Sequence, residues 1–304
     1  MTLEKKVLLL DKEAKTPSQN LATNQYFVDL VRQKQYDLIA RIYKHTNGVI
    51  LGYNESSNDV DMEFCRENNY EVIRRPTGGS AVVVDPDTTL CYTIIFDPLR
   101  LGRGKNINAL YKEITIPLAK KLGLGVTVEG AYYLRMRLNG SSIPFAGHAI
   151  KLHDGKIAQF DGVINMTPFD MEKISGTIRL RELYSFNGSR YIKSNGQVYD
   201  LQGNAVDIDL KQSKLLGKEI DELRKVKGLI DMGINDEKFS RLFREMLEET
   251  FGGVEEGCPK IDPLALFYLQ EQIKKNGKGG TKSGLGHCFV DFVEPEPRIH
   301  YAKA

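Results

Sequence analysis

Tryptophan is absent from this 304-residue chain, and cysteine is scarce: Cys65, Cys91, Cys258 and Cys288 are the only four, with no CxxC pair among them. A disulfide framework and a zinc site of ordinary spacing are therefore excluded, and no metal is expected. No apolar run approaches the roughly 20 residues that a bilayer-spanning helix needs, so no membrane association is expected. An excess of charge of one sign is also missing. Lys and Arg total 42 against 40 Asp and Glu, a net of +2. That balance lacks the footprint of a dedicated nucleic-acid binder, although a local phosphate site stays open. The first residues, MTLEKKVLLLDKEAKT, carry a short apolar run and no secretory pattern. The Asn-Gly-Ser triplets at Asn139 and Asn187 then read as turns, and the expected compartment is a reducing cytoplasm.

What is present is a globular balance of 41% hydrophobic and 27% charged residues. Strands are expected at 7–10, 38–43, 48–52, 71–74, 81–84 and 90–96, the last (LCYTIIF) rich in β-branched and aromatic residues. Helices are expected at 20–32, 59–68 and 106–122, the third containing Pro117 and stopped by Gly123. Asn139-Gly140 and Asp154-Gly155 are two-residue hairpin signals, predicting three consecutive antiparallel strands over 134–138, 145–152 and 156–165. Turn signals over 187–203 suggest an inserted hairpin. Two helices close the chain, at 236–251 and from Asp262-Pro263 to about Gly277. Interleaved elements joined mostly by hairpins predict an α+β fold on a mixed, mostly antiparallel sheet flanked by helices. The expected organisation is one domain over 1–276, with an insertion near 184–225 and a flexible Gly-rich tail over 277–304.

The most informative segment runs Arg74-Arg75-Pro76-Thr77-Gly78-Gly79-Ser80-Ala81-Val82-Val83-Val84-Asp85. Two arginines leave a strand, a Gly-Gly turn follows, and a strand resumes. Gly-Gly lets the backbone approach a ligand and offers free N–H groups, and arginine supplies a planar cation for carboxylate or phosphate. The plainer alternative is a hairpin turn with two solvated arginines.

Taken with its surroundings, this segment resembles the lipoate–protein ligase A branch of the biotin/lipoate ligase superfamily. The supporting residues are Asn20-Leu21-Ala22, Val49-Ile50-Leu51-Gly52-Tyr53-Asn54, the Arg-Arg-x-x-Gly-Gly block, Cys91-Tyr92-Thr93, Ala146-Gly147-His148-Ala149 and Gly162-Val163-Ile164. They run in order over roughly residues 7–276. The resemblance implies the catalytic-domain fold of that superfamily, related to class II synthetases. It implies attachment of lipoyl or octanoyl groups to a carrier lysine, through an acyl-adenylate made with ATP and Mg2+ or by acyl transfer. The implied partner is a lipoyl carrier domain of the 2-oxoacid dehydrogenase E2 or glycine cleavage H protein type, with an accessory ligase subunit as a further candidate. The implied substrate-binding residues are Arg74, Arg75, Gly78, Gly79, Ser80, Ala81, Gly147 and His148, with Val49, Leu51, Val82 and Ala146 walling the acyl chain.

The chain departs from the family at two places. Pro144 occupies the position of the family's catalytic lysine, and Tyr132 and Tyr133 stand where an Asn-Asp pair contacts the nucleotide. Strand alternation puts Ser142, Pro144, Ala146 and His148 on one face. His148 and Lys156 are the candidates to replace the lysine, against the plainer readings of a partly exposed strand residue and a solvated turn residue. Of the cysteines, Cys91 reads as core, Cys258 lacks a local base, and Cys288 follows His287 in the tail. Two readings follow: an enzyme of lipoate metabolism with an altered site, or a non-catalytic relative that binds lipoate or a carrier domain. A reused scaffold with another substrate is a third.

Overall fold

The computed structural model describes residues 5–277 apart from 56, 58–59, 124, 131, 139–140, 179–181, 188, 195–196, 200–204, 211–213 and 219–225. The Asn139-Gly140 turn, Cys288 and the tail beyond Gly277 lie outside the described residues.

Eight strands form the main sheet. β1 (Lys6–Leu10), β2 (Leu38–Tyr43) and β6 (Thr89–Phe96) come from the first third of the chain. β7 (Val126–Glu129), β8 (Tyr133–Leu138), β9 (Ser141–His153) and β10 (Ile157–Asn165) follow, and the short β16 (Glu255–Glu256) completes it. Their order is β16-β1-β2-β6-β10-β9-β8-β7. β1 runs parallel to β2 and β16, and the other pairs are antiparallel, so the sheet is mixed and mostly antiparallel. Asp154 and Gly155 both take positive φ between β9 and β10, as a tight hairpin requires.

A three-stranded sheet, β4-β3-β5, is built from β3 (Gly48–Leu51), β4 (Glu71–Arg74) and β5 (Val82–Val84). Downstream, β11 (Glu182–Phe186), β12 (Ser189–Ser194), β13 (Gln197–Tyr199), β14 (Ala205–Val206) and β15 (Lys214–Lys218) make a separate antiparallel sheet in place of the simple hairpin expected there. The helices are α1 (Pro17–Arg32), α2 (Met62–Glu67), α3 (Ile107–Leu122), α4 (Met171–Thr177), α5 (Asp236–Phe251) and α6 (Pro263–Gly277). α1 starts three residues before its expected position because Thr16 caps it: its hydroxyl accepts from Gln19 N while Gln19 returns a bond to Thr16 N.

Period-two alternation divides the core. Leu90, Tyr92, Ile94 and Phe96 of β6 face α3 and α5 in the largest cluster, together with Phe160, Phe239 and Phe243. Cys91 and Ile95 point to the opposite side, toward α1 and the three-stranded sheet. α6 closes that side, with Ile273 packed against its core and Gln270 Nε2 donating to Ser18 Oγ at 3.1 Å. None of the described helices is long and apolar enough to cross a membrane.

Arg41 is among the largest fully buried side chains. Its guanidinium donates to Asp11 (2.7 Å), Asn20 Oδ1 (2.5 Å) and Asn24 Oδ1 (3.1 Å) and stacks 4.2 Å over the Tyr43 ring. Removing the cation leaves buried acceptors with no donor. Arg41→Met is therefore expected to cost about 3–5 kcal/mol in chemical denaturation, far more than exposed arginine changes. A loss under about 1 kcal/mol would show that the network contributes little.

Candidate functional site: an apolar slot beneath the Arg-Arg-Gly-Gly bend

Between the main sheet and the three-stranded sheet lies a slot of about 650 Å³, counting its open mouth. Its floor is one row of residues in register across five strands: Tyr43, Cys91, Val163, Gly147 and Tyr133. Four strand spacings of about 4.8 Å give the row a length of roughly 19 Å. Ile50, Val82 and Val84 roof it, with Gly79, Ser80 and Arg75 of the bend beside them. The two ends of the row differ in burial, with a half-buried Val163 and a buried Gly147 between them. Leu21, Tyr43, His45, Ile50, Val84 and Cys91 are buried at one end, while Tyr133 is half-buried and Gly79 exposed at the other. The slot is thus closed at β2 and opens toward β8.

Both arginines of the bend bind the chain's own carbonyls. Arg74 Nη1 donates to the carbonyls of Gly52 (2.7 Å) and Glu55 (2.6 Å). Arg75 donates to Gly78 (2.6 Å), Ser80 (2.9 Å) and Ile50 (2.9 Å). Gly79 has φ +89, and a Cβ on Gly52 would fall 1.7 Å from the Gly79 carbonyl oxygen, so the two loops meet where only glycine fits. Thr77 donates to Asp161 at 3.1 Å and fastens the bend to the floor. Asp161 also accepts from Thr93 (2.9 Å) and Gln159 (3.0 Å), and burial raises its pKa despite these bonds. Sequence reasoning passed over Asp161, Tyr43 and His45, although Gln159 and Asp161 stand at period two in an otherwise apolar strand.

Of the residues named from sequence, Arg75, Gly79, Ser80, Val82, Gly147 and His148 border the slot. Arg74 braces the neighbouring loop, Gly78 offers its carbonyl to Arg75, and Ala81 turns to the far face of the three-stranded sheet with Val49 and Leu51. Alternation explains the difference: Ile50 takes the inward position between Val49 and Leu51. Ala146 belongs to the core beneath the sheet.

The alternation expected for Ser142, Pro144, Ala146 and His148 is interrupted. Leu134 pairs with Ala146 and Arg135 with Pro144, so Phe145 is an extra residue in a β-bulge. Proline has no N–H for the ladder, which accounts for the bulge at this place. Phe145 and Ala146 are consequently both fully buried in the core. Pro144 is half-buried opposite Arg135, and His148 lies on the other face. The His148 ring packs 5.3 Å from Phe160 and 5.8 Å from Tyr92, with Nδ1–H donating to the Tyr132 carbonyl at 2.9 Å. Burial brings its pKa down to about 4, so it is neutral. Lys156 is an exposed residue of the β9–β10 turn. Cys91 lines the slot, but burial and then the Asp161 carboxylate push its thiol up to about 12, the opposite of an activated nucleophile. Cys258 lies away from the slot, its Sγ 3.4 Å from the Pro259 carbonyl.

Gly52→Ala is expected to displace the bend, lower the thermal midpoint and abolish ligand uptake by the slot; a variant with unchanged melting would contradict the close approach. His148 is ordinarily protonated below about pH 6.5, but the fold holds it neutral down to about 4. Between those limits the unfolded chain binds a proton that the native state refuses, so stability falls as pH falls. His148→Phe should keep the fold and flatten the dependence of the urea midpoint between about pH 7.5 and 5 by up to one proton of linkage. An unchanged slope would mean that His148 titrates normally.

An octanoyltransferase LipM from Exiguobacterium is 26% identical over 179 residues, covering 51% of this chain and 64% of that relative, so the match spans slightly less than two thirds of the relative's length. The bi-partite lipoate protein ligase of Thermoplasma acidophilum, solved in a study that includes its E2 lipoyl domain, superposes with a TM-score of 0.61 at 16% identity, covering 90% of this chain and 92% of that one. A lipoate-protein ligase A bound with ATP superposes with a TM-score of 0.60 at 14% identity, covering 90% and 95%. These two likenesses establish the fold. Residues 16–192, more than half of the chain, match the Lipoyl protein ligase A/B catalytic domain, and the chain belongs to that family.

Proposed function

We propose that this protein holds a lipoyl or octanoyl group in the slot and delivers it to a lysine of a lipoyl carrier domain of the E2 or H protein type. The observation that carries the reading is the slot itself: an apolar channel of roughly 19 Å, closed at one end, with its polar bend near the mouth. A medium-length acyl chain fits that shape, with its carboxyl end left at the opening. There the carrier's amine attacks the acyl carbonyl, the amide C–N bond forms, the bond to the leaving group breaks, and the amine loses a proton.

Tyr132 and Tyr133 occupy the place that the resemblance gives to nucleotide contacts. Tyr132 is exposed and set edge-on against Tyr111 at 4.7 Å. Among the described residues no group of three His, Cys, Asp or Glu could hold a metal ion. The two phenols in that place offer a triphosphate no positive charge and its Mg2+ no carboxylate. An acyl group that arrives already activated, or an accessory subunit that completes the site, agrees better with them. The unactivated Cys91 thiol and Pro144 favour the second reading, a non-catalytic relative that binds the acyl group or the carrier domain.

One assay separates the readings. The protein is mixed with apo carrier domain and, in parallel, with lipoate plus Mg-ATP, preformed lipoyl-adenylate, or an octanoyl carrier thioester. Carrier mass then reports acylation. Amide formation from any donor establishes an enzyme and identifies the donor. No acylation, with calorimetric binding of lipoate or carrier, selects the binding reading. No acylation and no binding would overturn both. Pro144→Lys, assayed alongside, is expected to leave adenylation unrestored, because position 144 is on the Arg135 side of the bulge and does not line the slot.

A further inference from the structure

The closed end of the slot is not purely apolar. His45 lines it, 2% exposed, beside Leu21, Tyr43 and Val84. Its Nδ1 lies 3.1 Å from Asn20 Nδ2. Asn20 is fixed in orientation, since its Oδ1 accepts from Arg41 and its Nδ2 also donates to the carbonyls of Lys15 and Lys44. An amide nitrogen donates and does not accept, so Nδ1 meets Asn20 with its lone pair, sharing an amide hydrogen that a backbone carbonyl also accepts, and Nε2 carries the proton. Burial, reinforced by Arg41, lowers the pKa to about 3, and the ring is neutral. Among the described residues no group accepts a hydrogen bond from Nε2–H. The slot therefore ends in an uncharged donor that has no protein acceptor.

A plain hydrocarbon tail would cover this donor without pairing it, and an unpaired buried donor is costly. A carboxylate is not suited to the same end either: the imidazole is uncharged, and the surrounding side chains are apolar or already bonded. We infer that His45 reads the far end of the acyl chain and selects one that carries a hydrogen-bond acceptor there. Of the two acyl groups in the function proposed above, on which this inference rests, the lipoyl dithiolane has acceptor sulfurs and the octanoyl methyl has none. Sulfur is a weak acceptor, but it is soft and polarizable, and it would also meet the Tyr43 ring, 5.2 Å from His45 and edge-on to it. His45 is thus assigned as a specificity residue for lipoyl over octanoyl groups.

The test is calorimetric titration of the full chain with lipoate, octanoate and cyclopentanepentanoate, the sulfur-free counterpart of lipoate. Wild-type protein should bind lipoate about five- to tenfold more tightly than the cyclopentyl acid. In His45→Phe that ratio should fall to about one, with octanoate bound at least as well as before. Equal wild-type affinities for the two ring acids would overturn the inference, as would a preference that persists in a folded His45→Phe. A second measurement needs no variant. In protein labelled with nitrogen-15 histidine, lipoate should shift the Nε2–H resonance of His45 and octanoate should not; equal shifts would overturn the assignment. Failure of the wild type to bind any of the three acids would overturn the inference, and if no donor acylates the carrier in the assay above it would remove the acyl slot and the proposed function too.

Discussion

The slot exists because one carboxylate holds its roof to its floor. Asp161 stands on β10 in the middle of the main sheet and accepts a hydrogen bond from Thr77, the residue before the Gly-Gly turn. Removing a carboxylate from water is costly, and this one is tolerated because three side chains donate to it. Thr93, one of those donors, also accepts from Asn24, and Asn24 accepts from Arg41, which reaches Asp11. A continuous polar seam thus crosses β2, β6 and β10 beneath α1 and ends at the bend. Arg41 Nε apart, which has no hydrogen-bond partner, the members satisfy one another, so loosening one leaves a buried partner exposed to the same penalty.

That seam changes the meaning of the two arginines. From sequence they look like ligand-binding cations. In the fold their forks are filled by backbone carbonyls of the two loops that form the roof. Carbonyls in tight irregular turns cannot pair with a sheet, and a guanidinium, with five donors in a plane, satisfies several at once. The bend is therefore held from below by Asp161 and from the side by Arg75. Its rigidity preserves the width of the slot, and its remaining contribution to a ligand is shape and hydroxyl chemistry, with Ser80 buried in the wall.

Strand and helix positions were largely legible, because alternation in LIARIY and LCYTIIF and the apolar stripe of α5 are local signals. The neighbourhood of the Arg-Arg-Gly-Gly block was legible too, since the glycines mark a place where backbones touch. Two kinds of information were not. The first is which side of a strand faces the slot: Val49 and Leu51 looked suitable, but Ile50 is inward, and only the pairing of β3 with β4 and β5 decides that. The second is the polar seam. Arg41 and Asp161 lie in largely apolar strands, and apart from Gln159 beside Asp161 the hydrogen-bond partners of both are 17 or more residues away in the chain. An isolated charge in a strand implies a buried partner, but the sequence does not name it.

The bulge at Phe145 bears on how the departure at Pro144 is understood. If the frame were otherwise intact, a proline in that position would remove one side chain and nothing else. Here it coincides with a shift of register between β8 and β9, which turns consecutive residues Phe145 and Ala146 into the core and sends His148 to the aromatic side. Arg135 has settled opposite Pro144, paired with Glu129 and with the Ser142 carbonyl. The mouth is thus lined by Tyr133 and Gly147 on strands whose register shifts at Phe145, while the closed end has an apolar wall with the neutral imidazole of His45 in it. Any activity of the protein must work with a mouth made of Tyr133, Gly147, Ala149 and the carbonyl-bound Arg75, and that set is better suited to positioning an acyl group than to activating one.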